Sequence, residues 1–85
     1  MNVRVKLFAT LSDYLPPPEG RNGNEVALDV PMATTVGQVI DRFNLPPKLV
    51  HLVLINGHFV PPADRAAQAL TEGDVLAIWP PVAGG

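Results

Sequence analysis

The sequence ends in Gly84-Gly85, and this pair is the part of the chain best suited to chemistry. Glycine has no side chain, so a narrow channel in another protein can admit its backbone. A carboxylate on Gly85 has no β-carbon beside it to hinder attack. As it stands it is a poor acyl donor, because its leaving group would be oxide. It needs prior activation, for instance as an acyl adenylate. The chain carries no G-x-x-x-x-G-K-[ST] loop that could hold ATP for that step, so the activation has to come from a partner.

The residues just before the pair set how it is presented. Pro80-Pro81 stiffens the exit from whatever precedes it, and Val82-Ala83 follows with neither alternation nor helical spacing. Extended, residues 80–85 reach roughly 20 Å. The expected organisation is therefore a domain over 1–79 and a slender tail over 80–85.

Other candidate chemistry is thin. There is no cysteine, which excludes a disulfide framework, a cysteine-ligated zinc site and a thiol nucleophile, and which fits a reducing compartment. His51 and His58 stand seven apart with no third ligand near in sequence, so they read as turn or surface histidines. Ser12 and Asp13 have no histidine close by in sequence, which argues against a Ser-His-Asp arrangement. Phe59 and Trp79 adjoin prolines at strand ends. They read equally as core residues or as anchors of a partner-binding patch, where aromatics are enriched. Phe8 and Phe43 are expected in the core. Arg4 and Lys6 are expected on a solvated sheet face, and Asp74, after Gly73, in a structural turn.

The elements that must hold the tail follow from periodicity. Val3, Val5 and Leu7 alternate with Arg4 and Lys6, which predicts a half-buried strand over 2–8. Residues 12–15 predict a short helical turn. Residues 16–24, with three prolines and two glycines, predict a loop. Val26, Leu28 and Val30 share one face of a second strand, antiparallel to the first. Thr35 and Gln38 have the spacing of a capping box. Val36, Val39, Ile40 and Phe43 then form one apolar helical face, which Asn44 and Pro46-Pro47 end. Leu52–Ile55 is a continuous apolar run and predicts a strand buried on both faces. Asn56-Gly57 predicts a hairpin turn into His58-Phe59-Val60, stopped by Pro61-Pro62. Residues 63–70 read as a loop or helical turn. Val75–Trp79 is the last strand, ended by Pro80-Pro81.

The order β-β-α-β-β-β with one helix predicts an α+β domain: a mixed sheet of about five strands with the helix on one face. The order is that of the ubiquitin-like β-grasp fold, in which the first and last strands would be parallel neighbours at the centre. The 85 residues suffice for a single domain, and 47% are hydrophobic, so a core is available. A formal net charge of -2 with scattered charges gives no basic stripe, which argues against nucleic acid. The start MNVRVKLF lacks the apolar run of a signal peptide, and no stretch has the length of a membrane span. The expected setting is cytoplasmic.

Val5-Lys6-Leu7-Phe8-Ala9, Ile55-Asn56-Gly57, Glu72-Gly73-Asp74-Val75 and Pro80-Pro81-Val82-Ala83-Gly84-Gly85 together resemble the sulfur-carrier family. That family includes the small subunit of molybdopterin synthase and the thiamine-pathway sulfur carrier (MoaD/ThiS). The resemblance spans nearly the whole chain. It implies that a ubiquitin-activating-type enzyme uses ATP to adenylate the carboxylate of Gly85, and that a sulfur donor converts the adenylate to a thiocarboxylate. The sulfur then passes to a cofactor precursor in a larger synthase subunit. Gly85 would carry the sulfur, Gly84 would allow passage, and Phe59, Trp79, Pro80, Pro81, Val82 and Ala83 would meet the partner. The chain would bind no cofactor and catalyse nothing itself. An aromatic before Pro-Pro, here Trp79, points to the molybdopterin branch. The compact connection from Thr35 to Asn56-Gly57 is closer to the thiamine carrier. The same activated tail would also serve a ubiquitin-like modifier joined to a target lysine.

Overall fold

Alternating side chains with one apolar face need a cover, and in this chain the cover is a single short helix. The computed structural model describes residues 1–17 and 23–81. Strand β1 (Asn2–Leu7) pairs antiparallel with β2 (Glu25–Asp29), setting Val3 opposite Leu28 and Val5 opposite Val26. It pairs parallel with β5 (Val75–Trp79), setting Val5 against Leu76 and Leu7 against Ile78. On the far side of β5 runs β3 (Leu52–Ile55), antiparallel, and beyond it the two-residue β4 (His58–Phe59). The sheet order is β2-β1-β5-β3-β4. The first and last strands are thus the parallel central pair that the β-grasp order requires.

Val3, Val5, Leu7, Val26, Leu28, Val53, Leu76 and Ile78 point to one face and are buried there. Helix α1 (Val36–Arg42) lays Val36 and Val39 into the same core, and Ile40 and Phe43 pack at its margin. Each fully buried Val or Leu contributes about 1.5–3 kcal/mol. The capping box is present: Thr35 Oγ1 accepts from the Gln38 N–H at 3.2 Å, and Gln38 Oε1 accepts from the Thr35 N–H at 2.9 Å. The next N–H groups of the helix, on Val36 and Gly37, donate to the carbonyls of Gln68 and Arg65, both at 2.9 Å. A Cβ at Gly37 would stand 3.2 Å from the Ala66 Cα, so glycine lets the two backbones approach. The segment expected as a loop or turn over 63–70 is therefore a tight turn at Pro62–Asp64 followed by chain docked on the start of the helix.

Three expectations need correction. Leu52–Ile55 is not buried on both faces. Only Val53 is fully enclosed, because no second layer covers the open side of the sheet. Phe8 is not a core residue. The strand ends at Leu7, so alternation puts Phe8 on the open side, half-buried. The helical turn expected at 12–15 begins earlier and is a 3-10 segment over Ala9–Tyr14.

Candidate functional site

The candidate site is the end of β5 and the open sheet face around it. Trp79 closes the strand. Its carbonyl accepts from the His51 N–H at 3.0 Å, and the Ile78 carbonyl accepts from the Phe8 N–H at 3.1 Å. These two bonds anchor the last turn of the ladder to both neighbours. The rings of Phe8 and Trp79 stack at 4.1 Å between centroids, 5° from parallel. Aromatic pairs of this kind add about 0.5–1.5 kcal/mol beyond the area they bury. Pro80 is buried against this corner, and Pro81 is exposed. Val82 and Ala83, expected to face a partner, and Gly84 and Gly85, expected to be the reactive end, lie outside the described residues.

Strand register carries the apolar surface outward from the exit. Leu52 stands opposite Trp79, Leu54 opposite both Ala77 and Phe59. Phe59, 57% exposed, forms the outer end of this surface. The structure thus puts Phe59 and Trp79 on one face, linked through Leu52 and Leu54, and brings Phe8 to them. Arg4 and Lys6 lie on the same face beyond Ala77. Both approach Glu25, at 3.4 and 3.7 Å, so their charge is partly offset. These exposed pairs contribute little to stability.

Two polar groups hold the strands of this face to their connections. Burial works against the charge of Asp74, but the Thr71 N–H (2.8 Å), the Asn56 amide (2.9 Å) and the Thr71 hydroxyl (3.0 Å) donate to its carboxylate. Together they hold it below the ordinary carboxylate value. The Asn56 Oδ1 in turn accepts from the Val75 N–H at 2.8 Å. The hairpin turn after β3 is in this way tied to the start of β5. Asn56 and Gly57 take φ of 50° and 84°, as a two-residue hairpin requires.

The second group is Arg65, which sequence reasoning missed. It is only 9% exposed. Its guanidinium donates to the carbonyls of Val60 (3.1 Å), Val50 (3.2 Å) and His51 (2.9 Å). Burial pulls its pKa below the ordinary arginine value. It fastens the approach to β3 to the exit from β4. No periodicity or motif marks it, since its partners lie five to fifteen residues away.

His51 and His58 are both exposed, and no group of three His, Cys, Asp or Glu side chains among the described residues could hold a metal ion. Among those residues no helix is long and apolar enough to cross a membrane.

Several solved structures are similar to this chain. The solution structure of the HVO 2177 protein of Haloferax volcanii is 30% identical, with a TM-score of 0.74 over 100% of this chain and 87% of that one. SAMP1 of the same organism is 28% identical, with a TM-score of 0.67 and full coverage of both chains. A chain from the complex of subunits 1 and 2 of the molybdopterin-converting factor of Helicobacter pylori shares the fold at 19% identity, with a TM-score of 0.58 and full coverage of both. A search of curated proteins by sequence gives no significant match. The ThiS family model matches residues 5–85, which takes in the second half of β1, the other four strands, Trp79 and the terminal glycines. With a β-grasp sheet and a family match across nearly its whole length, the chain belongs to the ThiS family.

Proposed function

We propose that this chain is a sulfur carrier that bears its cargo as a thiocarboxylate on Gly85. The carboxylate attacks the α-phosphorus of ATP in a partner's site, giving an acyl adenylate and releasing pyrophosphate. A sulfur nucleophile then displaces AMP, and the thiocarboxylate sulfur becomes the nucleophile toward a cofactor precursor. Gly84 gives the backbone the slenderness that passage into both partner sites needs. The chain acts as a substrate and a non-catalytic subunit. Molybdopterin assembly is the first pathway proposed and thiamine the second. Trp79 before Pro80-Pro81 favours the former.

The observation that carries the reading is the setting of the Gly-Gly ending. In sequence it follows the central strand of a ThiS-family domain, a strand that ends in the Phe8–Trp79 stack and two prolines. The open face with Phe59, Leu54, Leu52 and Trp79 is the surface a larger synthase subunit and the adenylating enzyme would share. Pro80, Pro81, Val82 and Ala83 would lead from it into their active sites. The likeness to a chain of the two-subunit Helicobacter pylori complex is in keeping with such a partner.

The test is the intact mass of the protein isolated from its own cell. A fraction should be heavier by the difference between one sulfur and one oxygen atom, and that fraction should vanish when Gly85 is deleted. An unshifted mass under conditions of active cofactor synthesis would sink the proposal.

A second reading is a ubiquitin-like modifier joined through Gly85 to a target lysine. It draws on the likeness to SAMP1, a small archaeal modifier protein, at 28% identity. Higher-mass conjugates on an immunoblot that disappear with the Gly85 deletion would favour it over the carrier reading.

A further inference from the structure

A cavity of about 540 Å³ opens beside the β3–β4 edge, walled by Ile40 of α1, Val50, Leu52 and Phe59, with His51 and Arg65 as its polar members. Two features set it apart from a plain surface dent. The first is charge. Arg65 is nearly buried and forms no ion pair among the described residues. Asp64, its neighbour in sequence, and Asp41, on α1, are both exposed to solvent. Its three hydrogen bonds all go to carbonyls. Carbonyl dipoles orient a guanidinium but leave its full positive charge in place. A guanidinium has five N–H donors, so two remain for a further acceptor. The second is continuity. Leu52 and Phe59 belong both to the cavity wall and to the open sheet face.

We propose that this cavity seats a glutamate of a partner protein, flanked by aliphatic side chains, with its carboxylate on Arg65. A carboxylate supplies what the site lacks, since a buried cation is stabilised most by a paired, hydrogen-bonded anion. The apolar walls favour aliphatic neighbours. The shared Leu52 and Phe59 mean that a partner resting on the sheet face would bury this cavity in the same contact. The site rests on the carrier reading only in supposing that such a partner exists. It selects the partner by a charge recognised through a side chain outside residues 80–85, in a cavity whose His51 and Leu52 adjoin Trp79.

The experiment is an NMR titration of the isotopically labelled full chain with two peptides, acetyl-Leu-Glu-Leu-amide and acetyl-Leu-Gln-Leu-amide. The glutamate peptide should produce saturable shifts at the Arg65 Nε–Hε signal and at the methyl groups of Ile40 and Leu52. The glutamine peptide should bind about tenfold more weakly or worse, the loss expected when a charge-assisted bond becomes neutral. Pro62→Glu, on the rim, places a competing carboxylate at the site while leaving the carbonyl bonds of Arg65 intact. It should weaken the glutamate peptide by a similar factor. Equal binding of the two peptides, shifts confined to residues outside the cavity, no response, or full binding by P62E would each overturn the proposal. The chain lacking Gly85 should respond as the full chain does. Failure of the peptide test therefore leaves the thiocarboxylate reading standing, and failure of the mass test leaves this site standing.

Discussion

Asp74 shows how one side chain can carry several connections at once. Three donors converge on its carboxylate, and one of the residues supplying them, Asn56, also accepts from Val75. Because its pKa is lowered in the folded chain, its contribution is present above the unfolded value, about pH 4. That contribution is lost as the pH falls through the folded value. Asp74→Asn should therefore lower stability by about 1–2 kcal/mol near neutrality, since all three donors lose a charged acceptor. The penalty should shrink as the pH is taken below about 4. Urea denaturation of both proteins at pH 7 and pH 3 checks this, and a pH-independent difference would show that the charge is not what matters. The sequence marks Asp74 as a turn residue, through Gly73 before it. It does not mark the bond to Asn56, which spans eighteen positions. Arg65 is the stronger case of the same limit. An arginine that clips three distant carbonyls looks, in sequence, like any surface arginine.

At the scale of elements, local rules are read most reliably where they are self-contained. The Thr35–Gln38 box is complete within four residues, and it appears as read, with both bonds formed. Thr35→Ala should cost about 1 kcal/mol, seen as a lowered midpoint in thermal or chemical denaturation with the fold otherwise unchanged. An unaltered midpoint would mean that the carbonyls of Gln68 and Arg65 suffice to hold the helix start. The strands tell a different story. Alternation shows that β1 and β2 have two faces, and the residue types show which one is apolar. The run Leu52–Ile55 has no polar face at all, so it reads as buried on both sides. It in fact presents Leu52 and Leu54 to the open side of the sheet. Hydrophobicity reports the need for cover, and a cover in another chain satisfies it as well as one in the same chain. For the same reason Phe8 is misread as core. Its partner is Trp79, seventy-one positions later, across a parallel pairing that no local pattern encodes.

For the molecule as a whole, the arrangement of strands decides what is rigid. β1 and β5 are flanked on both sides, while β4 is a two-residue edge. Amide hydrogen exchange should be slowest along β1 and β5, at Val5, Leu76 and Ile78, and fast at His58 and Phe59, following the spread of opening energies between core and edge. Slowest exchange in β2 or at the β4 edge would contradict this. Pro80-Pro81 therefore follows directly on one of the most strongly held strands. The Phe8–Trp79 stack at that point has one more consequence. Trp79 is the single tryptophan of the chain, so its emission colour is a built-in optical label at the place where the proposed partner would land. Encounters there can be followed with unmodified protein in a cuvette.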